Sequence, residues 1–597
     1  MNKENFSKRY KVIKFIYKNY TVLTVENTVL SIISTIAEIF SVTILGKLLD
    51  SAIKILSEQD TFDIHLFIET DTFKYIVLIL VLKAIIQICQ QANNYVVSLL
   101  TERITQDTKY EMISKISQSN MQDVEEDEFQ KLVTYAPTFS IPKIVEIYTN
   151  FSNIMSRIIR GGIAIYIVYE TMGWSALFII LFTLPEIMLS HIKRKNLKDF
   201  QDESVGKIKF IVYVQELATT ITNFAELRVN NIFNHIKRRD KEEYEEYIDG
   251  YSKAQSSFYT SKTVTSILGQ VFKYAYIVYS LSVCIIKKMS VGTFKALYDY
   301  IDIAYDSIYN IFNSLSIISV NIGYISGYFD LIEYSGFEDR YQGSKKLSKN
   351  TPLLEFHNLT FSYPDNPETK ILKNLNLTVK PGEKVAFLGE DGSGKSSTVK
   401  ILTGMYEVEK PQQYLLDGIP TKELARGELK KKISVIFQNF INYNFSVKEN
   451  VVISGQRKNV DNDLYNKVSN ISQLKKLKKR VGLQDSSIVG KTFPSGKDLS
   501  AGDWQRLAIA RMLYRNKNIF IMDEPFTYID DFSAESILDN VLKYIGKERS
   551  VIYITRNTKF LEKFDRVYYF ENGSIVESGS LKELMKKKGK LYEQYKK

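Results

Sequence analysis

Two cysteines, Cys89 and Cys284, are all that the 597 residues contain, and both lie in apolar segments. That argues against a disulfide framework and for free, buried thiols. Residues 1–18 are polar and Lys-rich, with no short apolar core followed by a small-residue site, so no cleavable signal peptide is expected. No internal repeat, low-complexity tract or nucleic-acid-binding module stands out. The net charge of +11 therefore points to an anionic membrane surface rather than to nucleic acid. The mean hydropathy of −0.15 is low for a membrane protein, which fits a chain whose apolar helices fill only part of it. Apolar and aromatic side chains are plentiful, at 45% and 13%, so large cores are available, and the length suggests several domains.

Residues 389–397 read Gly-Glu-Asp-Gly-Ser-Gly-Lys-Ser-Ser. This is the pattern of a phosphate-cradling loop, with Gly389, Gly394, Lys395 and Ser396 at the fixed places. Glycines let the backbone curl so that N–H groups from Glu390, Asp391, Gly392 and Ser393 onward point inward at phosphate oxygens. Lys395 reaches the β- and γ-phosphates, and the Ser396 hydroxyl ligates Mg²⁺. The apolar run Lys384 to Leu388 before the loop predicts a buried strand. The segment from Ser397 to Leu402 predicts a helix whose N-terminus favours the anion. A second apolar run, Asn518 to Met522, ends in Asp523-Glu524-Pro525. There the first carboxylate can hold Mg²⁺ and the second can orient an attacking water.

Ahead of this region, six apolar stretches fall at about 21–49, 73–100, 151–171, 174–192, 264–286 and 294–324, near the ~20 residues a spanning helix needs. Several are interrupted by charge. The acidic connection 50–72 suits the outside. The long connections 101–150 and 193–263, the second opening Lys193-Arg194-Lys195, suit the cytoplasm. Residues 1–20 read as a basic amphipathic lead-in on the inner membrane surface, with Phe6, Tyr10, Ile13, Phe15 and Ile16 on it. Residues 335–352 are polar and read as a linker, and the Lys-rich patches 429–432 and 475–480 read as solvated surface.

Between the loop and Asp523 stands Leu499-Ser500-Ala501-Gly502-Asp503, then Trp504-Gln505-Arg506 and Ala510-Arg511. With these motifs in this order, the chain resembles the ATP-binding cassette (ABC) exporters over its whole length. The resemblance implies an all-α membrane domain of six helices in residues 1–334, the linker 335–352, and an α/β P-loop NTPase cassette in 353–597. It implies ATP and Mg²⁺ as cofactors. Tyr363 would stack on adenine. Gln438 would contact Mg²⁺ or water, Ser396 and Asp523 would hold the metal, and Ser397 would complete the cradle. Ser500, Ala501 and Gly502 would cap the γ-phosphate of a partner subunit's nucleotide, beside Asp530. Glu524, with Gln438 and the residue at 556, would be catalytic. Two short coupling helices, near Asn120 to Lys131 and Asn223 to Asn231, would face the cassettes.

Three departures from the family pattern matter. Ala501 replaces a glycine, and Asp503 replaces a Gln or Glu. Arg556 stands where the family has its switch histidine, and no histidine follows His357. A guanidinium can contact a γ-phosphate but cannot play the neutral imidazole's part. It could also pair with Glu524 and turn it from water, so slow turnover is expected. Within the sixth stretch, Asp299, Asp302 and Asp306 share one face near Tyr298, Tyr305 and Tyr309. They could contact a cationic cargo or pair with Arg157, Arg160, Lys83 or Lys273.

The resemblance implies a multi-pass cell-membrane protein with a cytoplasmic cassette. It would act as an ATP-driven exporter, paired with a second copy or a related half-transporter, and without nucleic acid. Trp504 and the general cast of the cassette lean towards a peptide or bacteriocin-type cargo, unprocessed because no peptidase domain precedes the helices. A multidrug or lipid exporter, and an ATP-binding membrane sensor with negligible turnover, are the alternatives. An importer is disfavoured because permease and cassette share one chain.

Overall fold

Apolar side chains with few helix breakers carry most of the first half of the chain. Besides a short helix, Ile64–Glu69, the helices are α1 (Thr21–Glu58), α2 (Asp71–Ile116), α3 (Met121–Glu125), α4 (Asp127–Tyr135), α5 (Ile141–Met172), α6 (Phe178–Glu203), α7 (Val205–Thr219), α8 (Phe224–Val229), α9 (Phe233–Ile286) and α10 (Val291–Ile332). The structure is a computed structural model. It describes residues 12, 14–58, 64–119, 121–220, 223–334, 343–425, 427–455 and 459–596. It divides into two units, Met1–Ser117 with Lys131–Glu333, and Gln118–Gln130 with Tyr334–Lys597.

In the first unit, five helical stretches among the described residues are long and apolar enough to cross a membrane. One of them, Ile141–Glu203, has 63 residues, or ~95 Å at ~1.5 Å per residue. It cannot be a single crossing, and it is not straight. Ser140, just before it, donates to the Tyr324 carbonyl, and Gln201 near its end accepts from the Tyr324 hydroxyl. Arg157 in between pairs with Asp306. Start and end therefore lie at one level of α10, and the chain turns back through the 3-10 turn Gly173–Leu177. Counted as α5 and α6, these make the six expected helices. Helix α9, with 54 residues, runs ~80 Å, far beyond the ~30 Å apolar core of a bilayer.

Half of the apolar window of α10 is buried, against 17% for that of α2, so α10 is the inner helix and α2 an outer one. Ile39, Ala164, Val168, Ile277, Ile301 and Ala304 pack together around α10. Leu80 and Ile88 of α2 are two-thirds exposed, as a lipid-facing side requires. At one end, Gly46 and Gly292 bring the backbones of α1 and α10 into contact. A Cβ on Gly292 would lie 2.0 Å from the Gly46 carbonyl oxygen. Asp50 caps the start of α10, accepting from the Gly292 N–H at 2.7 Å and the Ser290 hydroxyl at 2.6 Å.

The three aspartates of the acidic face of α10 pair within this unit. Asp302 accepts from Lys273 at 2.7 Å, Asp306 pairs with Arg157, and Asp299 pairs with Lys295 of its own helix. Arg160 takes Glu38 at 2.6 Å, not an aspartate of α10, and Lys83 is exposed. Of the expected lead-in, Phe6, Tyr10 and Ile13 lie outside the described residues. Residues 14–19 are helical, Ile16 is fully buried, and the Tyr20 hydroxyl donates to Asp107 at 2.6 Å. That end of the lead-in packs on protein, because its apolar side meets Tyr148 and Phe151 through Tyr17.

The second unit is built on two sheets. A four-stranded antiparallel sheet has the order β2-β1-β4-β5, from β1 (Leu354–Phe361), β2 (Leu372–Val379), β4 (Tyr414–Leu416) and β5 (Ile419–Pro420). The six-stranded sheet has the order β10-β9-β3-β8-β7-β6. Its strands are β3 (Lys384–Gly389), β6 (Ile433–Ile436), β7 (Ile519–Asp523), β8 (Ser550–Thr555), β9 (Arg566–Glu571) and β10 (Ser574–Gly579). Strands β6, β7, β8, β3 and β9 run parallel. Every residue of β7 and β8 is buried, as continuous apolar runs in a parallel sheet covered on both faces should be. Covering helices include α11 (Lys395–Leu402), α12 (Ala501–Arg515) and α13 (Asp531–Ile545).

Residues 118–130, read from sequence as part of the helical domain, cluster with this unit. The Tyr406 hydroxyl donates to Glu125, the Tyr334 hydroxyl to Glu126, and Phe129 packs on Tyr334. Of the expected linker, 335–342 lie outside the described residues. Gly343 and Lys345 make isolated β-bridges with Ala425 and Leu424, so this end of it is tied to the second unit.

Candidate nucleotide site

Sheet order decides what meets at the site. Strand β8 lies between β3 and β7, with Leu388 opposite Thr555 and Ile554 opposite Asp523. The phosphate-type loop leaves β3, Asp523-Glu524 leave β7, and Arg556 leaves β8 between them. In the loop, Gly394 has φ +98 and a Cβ there would lie 2.6 Å from Leu372, so only glycine fits. The Lys395 ammonium, whose pKa burial lowers, donates to the carbonyls of Gly389 and Glu390 at 2.7 Å and to the Ser393 hydroxyl at 3.2 Å. Helix α11 starts at this lysine. Ser396 is exposed at its first turn, and Ser397 is buried, its hydroxyl 2.9 Å from that of Tyr363.

Asp523 is almost wholly buried, and its Oδ1 has no hydrogen-bond partner. Burial, then the neighbouring Glu524 charge, push its pKa up to about 6, while Lys395 and the Ser396 hydroxyl pull the other way. An orphaned carboxylate oxygen next to a serine hydroxyl is a donor set that fits a hard divalent cation such as Mg²⁺. Glu524 has φ +46, a strained backbone at the strand exit. Its Oε2 accepts from Gln438 at 3.0 Å. Arg556 grips the same carboxylate with two donors, Nε to Oε1 and Nη2 to Oε2, each at 2.8 Å, and Nη1 donates to Asp391 Oδ2 at 2.8 Å. The expected pairing of Arg556 with Glu524 is present, and the bond to Asp391 is an addition that sequence reading missed.

Tyr363 packs edge-on against Phe361 and Tyr406, with the Lys400 ammonium 4.8 Å from its ring centre. Around the signature, Ser500 caps α12 and its hydroxyl donates to Asp503 at 2.7 Å. Asp503 is buried and also takes Arg480 at 2.5 Å. Arg480 lies in a patch read as solvated surface. Its side chain stays mostly exposed, as that reading has it, while its guanidinium supplies the cation that a buried carboxylate needs. The Ala501 side chain points to solvent. Gly502 lies under the Tyr528 carbonyl, which a Cβ would approach to 2.5 Å. Gln505 ties α12 to the segment after β7, accepting from the Tyr528 N–H at 2.9 Å and donating to the Glu524 carbonyl at 3.2 Å. Asp530 caps α13, and the Ser533 N–H it accepts lowers its pKa.

Comparison with known proteins agrees with this geometry. The family described as ABC transporter matches residues 372–527. The "Subtilin transport ATP-binding protein SpaT" of Bacillus subtilis is 26% identical over 80% of this chain and 77% of its own length. The "ATP-dependent lipid A-core flippase" of Pseudoalteromonas translucida is 32% identical over 41% of this chain and 42% of its own length. Among solved structures, a bacterial Atm1-family ABC exporter with ATP bound has the same fold. The TM-score is 0.75 at 16% identity, over 97% of this chain and 98% of the other.

Proposed function

We propose that this chain is a half-transporter of the ATP-binding cassette family, with a multi-pass helical domain fused to its ATPase domain, and that two copies pair in the cell membrane, cassettes in the cytoplasm, to export a peptide. The observation that carries the site assignment is the convergence of Lys395, Asp523, Glu524 and Gln438 beyond the ends of β3, β7 and β6. In this reading the loop backbone from Gly389 to Ser397 and the Lys395 ammonium hold the phosphates, and Tyr363 holds the adenine. Ser396, Asp523 and Gln438 hold Mg²⁺, which neutralises phosphate charge when bound. Glu524 accepts the proton of the attacking water or orients it. Ser500 and Gly502, with Ala501 and Asp530 beside them, face the partner copy's nucleotide. ATP binding closes the pair and turns the cavity outward, and hydrolysis resets it.

A peptide cargo is supported by the relative named for subtilin transport, which matches along most of the chain. The flippase relative matches over about two-fifths of it. The decisive experiment is ATP-dependent peptide uptake into inside-out proteoliposomes. Glu524→Gln should trap nucleotide and stop turnover, and Lys395→Ala should weaken binding. Unchanged steady-state ATPase in both variants would sink the assignment. The grip of Arg556 on both oxygens of Glu524 favours a second reading, in which this chain supplies the weaker site of a heterodimer. Co-purification with a different half-transporter would select it.

A further inference from the structure

Arg556 is held at two edges, by carboxylates from different motifs. The Nε–Nη2 edge forms the two-pronged pair with Glu524, and Nη1, on the other side of the guanidinium, goes to Asp391. The two acids do not compete for one N–H, because a guanidinium presents its donors in a fixed fork. Asp391 lies in the phosphate loop, where an acid repels a polyphosphate, and its side chain is three-quarters exposed. An arginine bound only to Glu524 would follow that side chain. One bound also to Asp391 stays across the loop when Glu524 turns to water.

We propose that Asp391 is a positioning residue for ATP hydrolysis, anchoring Arg556 so that the guanidinium can release Glu524 without leaving the nucleotide. The inference rests on the ATPase reading above. It ties one departure of the site, an arginine where the family has histidine, to a loop carboxylate that holds it.

The test is a cycle of four full-length proteins in proteoliposomes: unmodified, Asp391→Asn, Arg556→His, and the double variant. Steady-state hydrolysis is followed over a range of MgATP. In the arginine background, Asp391→Asn should lower kcat by about 3- to 30-fold, the usual coupling within one network. It should also lower KM, because a repelling charge has left the loop. Asp391→Glu should restore kcat. In the histidine background, Asp391→Asn should lower KM alike but leave kcat unchanged, since no guanidinium needs an anchor. An equal kcat loss in both backgrounds, or none in either, overturns the assignment of Asp391. Absence of hydrolysis in all four proteins instead overturns the ATPase reading, and the inference falls with it.

Discussion

At position 556 a fixed positive charge replaces a ring that can both donate and accept. Arg556 is held at full charge, its pKa raised chiefly by the hydrogen bond to Glu524. It can meet a γ-phosphate, but it also occupies the carboxylate that water needs. Arg556→His in the purified protein should therefore speed ATPase several-fold without tightening nucleotide binding. A slower His variant would mean that Arg556 is an adapted catalytic group. Asp523 makes a second test. Its folded pKa, about 6, lies above the ordinary carboxylate value. Folding thus takes up a proton between those values, and this group's contribution to stability is largest below the ordinary value and falls as pH rises through 6. A bound cation needs the opposite state. Mn²⁺ affinity, read by electron paramagnetic resonance in the presence of nucleotide, should drop about tenfold per pH unit below 6 as protons compete for the oxygen. Asp523→Asn should flatten that profile. The pairing of Arg556 with Glu524 could be foreseen, because both motifs are linear and known to converge. The bond to Asp391 could not, because it depends on β8 lying between β3 and β7.

Among the elements, α10 shows where reading by periodicity stops. Its apolar length and its acidic face are plain in the sequence, as is the set of cations that could answer it. Which cation answers which acid depends on how α5, α9 and α10 are rotated, and periodicity leaves that open. Asp302 takes Lys273, which is 8% exposed and sits over the rings of Tyr274 and Tyr305. Removing one member of such a pair strands the other. Asp302→Asn should lower the thermal midpoint in detergent, by a loss on the order of 1–3 kcal/mol. Adding Lys273→Met should recover most of it. If Asp302→Asn alone keeps the midpoint and abolishes transport, the aspartate serves cargo and not the helix pair. Arg480 teaches the same lesson in the cassette. A run of lysines and arginine reads as solvent-facing, and Arg480 does stay mostly exposed, but the reading does not show that it also answers the buried Asp503.

For the whole chain, the division into membrane helices and an α/β ATPase was legible from apolar run length and from three motifs in order. Both rest on local chemistry. The fold-back at Gly173–Leu177 was legible too, as a gap between the third and fourth runs. The bridging of Gly343 and Lys345 was not, because a short polar segment carries no period. Nor was the meeting of Gly46 with Gly292, two glycines almost 250 residues apart in the sequence. Gly292→Ala should strain that contact by about 1–3 kcal/mol, the range for overpacked sites, and Gly292→Leu should prevent a stable fold, both read from thermal unfolding in detergent. The pair also acts as a fulcrum. With backbones touching there and Asp50 bolted across the joint, α1 and α10 can rock about this point but cannot part at it. Any gap that opens between them must widen with distance from the glycines, like the blades of scissors from their rivet.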